Sequence, residues 1–260
     1  MTKFIAIASG KGGTGKTTVS LNLASALSQY ARSVTIVEGN LNTPNIGIYL
    51  GSPLLENTIH DVLKGRKKIR DSAYLHPSGF NIIPGSIASD IPQKSELRLF
   101  SDYLLELEGT SEIVLIDVGA GIGEDVLEII KAADETIIVT NPELAAVSDA
   151  MKLIKRLREK KQKIMGIILN RARSDAVEMD VKNVETLLEE RVIGVIAYDE
   201  KMRHAVAIKH PIVFSHPESK AADGFKKLAA RLIGEKYVRQ SEKQEKKSMF
   251  EYVLHQLGLK

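Results

Sequence analysis

Short, nearly continuous apolar runs alternate along the chain with longer stretches in which apolar residues recur every three or four positions. The runs are Phe4–Ala8, Val34–Val37, Phe80–Ile83, Ile113–Ile116, Thr136–Thr140, Ile164–Leu169 and Val192–Ala197, most of them rich in Val and Ile. Runs that are apolar throughout suit strands covered on both faces. Helical periodicity fills the intervals Thr17–Gln29, Glu96–Leu107, Glu124–Ala132, Leu144–Lys160 and Val177–Glu189, and continues over Ser219–Ile233. Such alternation predicts right-handed crossovers. The expected fold is a single α/β domain over residues 1–235, with a mostly parallel central sheet and helices on both faces. A charged linker at 236–247 and an amphipathic helix at 248–260 complete the expected organisation.

Composition narrows the chemistry. With 260 residues, 43% apolar content, 19 Gly and 8 Pro, the chain has the make-up of a globular protein. It contains no cysteine, which excludes disulfides, thiolate zinc sites, cysteine nucleophiles and cysteine-ligated iron–sulfur clusters. The six histidines show no metal-ligand spacing and read as surface or structural residues. No stretch approaches the ~18 consecutive apolar residues of a membrane span, and the apolar run near the N-terminus is too short for a secretory signal. The chain is therefore read as cytoplasmic.

The first strand runs directly into Gly10-Lys11-Gly12-Gly13-Thr14-Gly15-Lys16-Thr17, and a helix follows. This is the G-x-x-x-x-G-K-[ST] phosphate loop. Its glycines let backbone N–H groups approach phosphate oxygens, and the helix start adds unpaired N–H groups and a positive dipole end. Lys16 is expected to reach the β- and γ-phosphates and the Thr17 hydroxyl to ligate Mg²⁺. Thr18 closes the candidate cradle.

With Lys11 early in the loop, KGGTGKTT resembles the deviant Walker A motif of the MinD/ParA ATPase superfamily, nearest its archaeal-type MinD branch. VLIDVGAGIG (114–123), VTNPE (139–143) with Asp149, and LNR (169–171) extend the resemblance over roughly residues 3–235. The resemblance implies ATP and Mg²⁺ as ligands. It implies a homodimer in which Lys11 contacts phosphates bound to the partner subunit. It also implies a metal-holding Asp117 at the end of the Walker B strand, a switch glycine at Gly121, and Asn170 reading the adenine.

The sequence departs from the family at switch I. Where Asp-x-Asp is the pattern, this chain has Glu38-Gly39-Asn40, followed by LNTPN in which Asn45 still matches. Glu38 conservatively replaces the carboxylate near the metal's water shell. Asn40 replaces the group that positions or activates the attacking water. An amide has no basic oxygen at neutral pH but can still orient water. Gly119 and Ala197 stand where prolines are usual. Nucleotide binding is thus the firmer expectation, and Lys11, Lys16 and Asn40 are the candidate catalytic residues for a slow hydrolysis.

The net charge of +3 lies wholly in the last 25 residues. Lys236, Arg239, Lys243, Lys246, Lys247 and Lys260 oppose Glu242, Glu245 and Glu251 there, while residues 1–235 balance at 30 basic and 30 acidic. Met249, Phe250, Val253, Leu254 and Leu257 would share one helical face, started by a Ser248/Glu251 capping box. With Lys246 and Lys247 just upstream, this resembles the family's membrane-targeting helix, for anionic lipid on the inner face of the cell membrane. Docking onto a protein is the alternative. One such helix binds membrane weakly, but two on a dimer gain roughly 10²–10⁴ in avidity.

The leading reading is therefore a MinD-like ATPase that positions cell-division or other machinery. A nucleotide-gated scaffold with little turnover is the second reading. A third is a DNA-partition ATPase, for which the basic residues Lys152, Lys155, Arg156, Arg158, Lys160 and Lys161 could be a surface. No aromatic stacking motif supports that third reading.

Overall fold

The computed structural model describes residues 1–238 apart from Pro53 and Ser174. In chain order the elements are β1 (Lys3–Ser9), α1 (Lys16–Ser28), β2 (Val34–Gly39), α2 (Ile46–Tyr49), α3 (Ile59–Leu63), a 3₁₀ turn (Ile69–Ser72), β3 (Tyr74–Leu75) and β4 (Asn81–Ile83). There follow α4 (Lys94–Arg98), α5 (Phe100–Leu105), β5 (Ile113–Ala120), α6 (Glu124–Ile130), β6 (Glu135–Thr140), α7 (Leu144–Glu159) and β7 (Ile164–Ala172). The last are α8 (Val181–Leu188), β8 (Val192–Ala197), α9 (Lys201–Ala207), α10 (Ile212–Ser215) and α11 (Lys220–Leu232).

All seven expected strands form, and with β3 they make one eight-stranded sheet in the order β3-β4-β2-β5-β1-β6-β7-β8. Every pairing is parallel except β3 with β4. The strands are apolar throughout because both faces are buried. On β1, Phe4, Ala6 and Ala8 enter a core shared with α3 to α8. Ile5 and Ile7 enter a second core shared with α1, α10 and α11. This is the pleat expressed as two hydrophobic layers.

Two expected helices are corrected. The stretch 96–107 is not one helix but the pair α4 and α5, which meet at Leu99. The helix expected from Val177 begins at Val181 instead, because the Asp180 side chain accepts from Asn183 N at 2.7 Å and caps it there. Asp175 holds the preceding residues in a turn by accepting from the backbone N–H of Val177 and Glu178. Short α2, α3, α9 and α10, too brief to show periodicity, have no counterpart in the expected elements.

Among the described residues no helix is long and apolar enough to cross a membrane. The tail residues Lys246, Lys247, Met249, Phe250, Val253, Leu254 and Leu257 lie outside the described residues.

Candidate nucleotide site

β1 lies between β5 and β6, where the chain order reverses, and its C-terminal end opens into the glycine loop. Open parallel sheets bind ligands at that crevice. Gly13 and Gly15 have φ of 81° and 94°, in the region that favours glycine, which lets the loop curl before α1. Gly10 is required for a different reason. A Cβ there would lie 2.1 Å from the Asp149 carbonyl oxygen, so the loop is braced against α7.

Under the loop, Asp117 is 1% exposed and directly follows the apolar run Ile113–Ile116 inside β5. Its Oδ2 accepts from the Thr17 hydroxyl at 2.6 Å and its Oδ1 from the Ser20 hydroxyl at 2.9 Å. Burial pushes the Asp117 carboxyl up, and Thr17, Lys16 and Ser20 hold it down. Lys16 is lowered by burial, with the charge of Asp117 opposing the shift. A hydroxyl and a carboxylate converging beside the phosphate loop are hard oxygen donors, the set that suits Mg²⁺. Thr17 and Asp117 would hold the ion.

Glu38 stands beside Asp117 in the parallel register. Its Oε2 accepts from the backbone N–H of Asn45 at 2.8 Å and Ile46 at 2.9 Å, and its Oε1 from that of Asn40 at 3.3 Å. The carboxyl is thereby the anchor of switch I. Burial and the nearby Asp117 push its pKa up to about 8, against these three N–H donors. Asn40 is engaged within the same loop: its Nδ2 donates to the Thr43 carbonyl, and its Oδ1 accepts from the Thr43 hydroxyl at 3.1 Å. Gly119 leaves room for this arrangement, since a Cβ there would lie 3.2 Å from Asn40 Oδ1.

Two adjoining cavities complete the site. One, of about 260 Å³, lies over Lys16 and Thr17 and reaches Asn40, Asn45 and Tyr49. The other, of about 410 Å³, is walled by Thr18, Asn170, Ile196, Ala197, Tyr198 and Met202. Asn170 Nδ2 donates to the Thr14 carbonyl at 2.7 Å, so the residue expected to read adenine also fastens the phosphate loop. Lys11 is half-buried, and its carbonyl accepts from the Ser9 hydroxyl at 2.7 Å. Gly121 has φ of 105°, and its N–H donates to the Ser9 carbonyl at 3.0 Å. Gly12 lies open, with nothing near its missing Cβ.

Ser20 and Tyr49 also belong to the site although sequence reasoning did not reach them, and so do Thr43 and Arg171, which lie inside the LNTPN and LNR segments but were given no role there. Ser20 carried a signal of its own, one helical turn after Lys16 on the face toward β5. The basic residues near α7 are mostly paired: Arg156 with Glu124 and Glu159, Arg158 with Glu189 and Glu190, Lys160 with Glu124, and Lys152 with Asp149.

The comparisons agree with this geometry. The description "CobQ/CobB/MinD/ParA nucleotide binding domain" matches residues 5–212. An uncharacterized ATP-binding protein of Methanocaldococcus jannaschii is 37% identical over 249 residues, covering 96% of this chain and 94% of that protein. The septum site-determining protein MinD of Bacillus subtilis is 29% identical over 273 residues, with both chains covered in full. The structure of MinD from Pyrococcus horikoshii, complexed with Mg-ADP, superposes with a TM-score of 0.81 at 33% identity, covering 89% of this chain and 96% of that one. Fold, phosphate loop and sequence together show that this chain belongs to the MinD/ParA family of P-loop ATPases.

Proposed function

We propose that this protein is a MinD-like ATPase that binds ATP·Mg²⁺, dimerises across the nucleotide and docks on the cytoplasmic membrane to position cell-division or other cellular machinery. The observation that carries the reading is the convergence of Lys16, Thr17 and buried Asp117 beneath the glycine loop, next to a cavity of base size. Relatives that bear septum-site names over the whole chain length support the cellular role.

In this reading the loop N–H groups and Lys16 bind the phosphates and neutralise charge that grows on the transferred phosphoryl group. A Mg²⁺ ion held by Thr17 and Asp117 would supply further positive charge to the phosphates. Thr17 and Asp117 orient it, and Glu38 holds switch I over the site. Lys11 supplies the cation that reaches the partner subunit's nucleotide. Lys246 and Lys247, with Met249, Phe250, Val253, Leu254 and Leu257, form the lipid-facing helix, so that ATP-dependent pairing raises membrane residence through avidity. An unidentified protein is the cargo or activator.

One observation favours a second reading, a nucleotide-gated scaffold with very slow hydrolysis. Both polar ends of the Asn40 amide are engaged by Thr43, so orienting a water would require the loop to release them. Ion pairing around α7 disfavours a DNA-partition role.

Phosphate release from Mg·ATP, with and without anionic vesicles and against Lys16→Ala, tests the proposal. Turnover above that variant which rises with vesicles is the expected result. ATP binding with no turnover above the variant would leave the scaffold reading, and the absence of ATP binding would overturn both.

A further inference from the structure

Five described non-glycine residues have positive φ: Ala31, Lys161, Arg171, Glu189 and Lys209. Four of them lie where helices α1, α7, α8 and α9 end, a position at which the left-handed conformation satisfies the last carbonyls. Arg171 is the exception. It lies inside β7, with φ of 60°, where no helix end accounts for it.

The local pairing shows what holds it there. The register between β7 and β8 shifts between Leu169 and Ala172. On one side of the shift, Asn170 is fixed by its bond to the Thr14 carbonyl. On the other, Ala172 pairs with Ala197, and its carbonyl accepts from Tyr198 N at 2.8 Å. In a regular strand, consecutive side chains face opposite sides of the sheet. Here Asn170 and Arg171 both line the 410 Å³ cavity, because the irregularity re-aims the second side chain.

Arg171 also lines the phosphate cavity, and one guanidinium nitrogen lies 3.9 Å from the point where a Gly15 side chain would begin. It therefore sits at the junction of the two spaces, where the ribose and the first phosphate of a nucleotide must pass. Among the described residues its guanidinium has no hydrogen bond or ion pair, unlike Arg156 and Arg158. A strained backbone that points an unpaired arginine into a cavity is a reason to look for its ligand. A guanidinium fits phosphate oxygens through charge-assisted hydrogen bonds.

We propose that Arg171 is a nucleotide-binding residue that contacts the phosphate nearest the ribose and supports ATP and ADP equally. The inference rests on the nucleotide reading above, and goes beyond it in assigning a cation separate from Lys16 and Lys11 to a phosphate that both nucleotides share.

Calorimetric titration of the full chain with Mg·ATP and Mg·ADP tests it, using Arg171→Ala and Arg171→Gly. Both variants are expected to lose roughly tenfold in affinity, by the same factor for the two nucleotides. Arg171→Gly is expected to melt no lower than wild type, since glycine accepts φ of 60° without strain, and this separates lost binding from lost folding. Wild-type affinity in Arg171→Gly overturns the assignment alone. Loss confined to ATP overturns it too, because the contact would then be with the terminal phosphate. A wild-type chain that binds neither nucleotide overturns this proposal together with the reading on which it rests.

Discussion

Glu38 and Asp117 occupy paired positions on the adjacent parallel strands β2 and β5, so two fully buried carboxyl groups stand side by side at the C-terminal edge of the sheet. Without a metal they repel, and Glu38 keeps its proton up to about 8 in the folded chain, against an ordinary value of 4.5. Between those limits the folded state binds the extra proton, so the contribution of Glu38 to stability is full below pH 4.5 and declines as pH rises toward 8. Urea unfolding of metal-free protein is expected to show this decline, by up to about 1.4 kcal/mol per pH unit. The slope should flatten in Glu38→Gln. An unchanged slope in that variant would assign the effect to another group.

Asn40 lies where a carboxylate is the family's pattern. Asn40→Asp is expected to raise phosphate release at least about tenfold, a conservative figure against the roughly 10²–10⁴ that a positioned base contributes. The Asp side chain would lose the amide donor to Thr43, freeing an oxygen toward the phosphate cavity. Turnover no faster than wild type, with ATP affinity intact, would show that the amide is not what limits hydrolysis.

The loop glycines should rank by what surrounds them. At Gly12 a methyl meets nothing within 4 Å, so Gly12→Ala is expected to leave the melting temperature within about 1 °C. At Gly15 the methyl would fall 2.3 Å from Asn170 Nδ2 and the φ of 94° adds strain. Gly15→Ala should therefore cost about 1–3 kcal/mol and displace Asn170 from Thr14. Thermal melts and nucleotide titration of the two variants provide the comparison.

Acid stability should depend on His76, far from the phosphate loop. It is 6% exposed, stacks on Phe80 at 4.6 Å, and its Nδ1 accepts from Ser78 N at 3.0 Å. Burial, helped by the facing His210, lowers its pKa to about 4 from 6.5. The unfolded chain takes up a proton over that window and the folded chain does not, so stability falls as pH drops from 6.5 toward 4. In His76→Asn, which retains an acceptor for Ser78, the melting temperature should decline less steeply over that range. An equal decline would point to His60, whose pKa burial also lowers.

The strands were legible because both faces of the sheet are covered, which writes each one as an unbroken apolar run. Lys16 and Thr17 were legible because the phosphate loop needs those residue types at fixed spacing after a strand, whereas Asp117 was reached through family resemblance. Asn170 was reached the same way, and its bond to Thr14 spans 156 positions. Arg171 lay in plain view inside LNR, but the direction of its side chain depends on a register shift between β7 and β8, which no local pattern encodes. The late start of α8 arose where the Asp180 cap overrode the apolar periodicity.

The central place of β1 has a consequence for how the protein comes to be made. The strand that leads into the phosphate loop leaves the ribosome before the strands on either side of it, which pair with it through Ile113 and Glu135, more than a hundred residues later. The 410 Å³ cavity waits longer still, for Ile196 to Val206. At about 5–20 residues per second, the loop spends many seconds without the walls that complete it. A nucleotide can therefore meet a complete site only after the segment through Val206 has emerged, and its binding then draws late folding intermediates toward the native state by mass action.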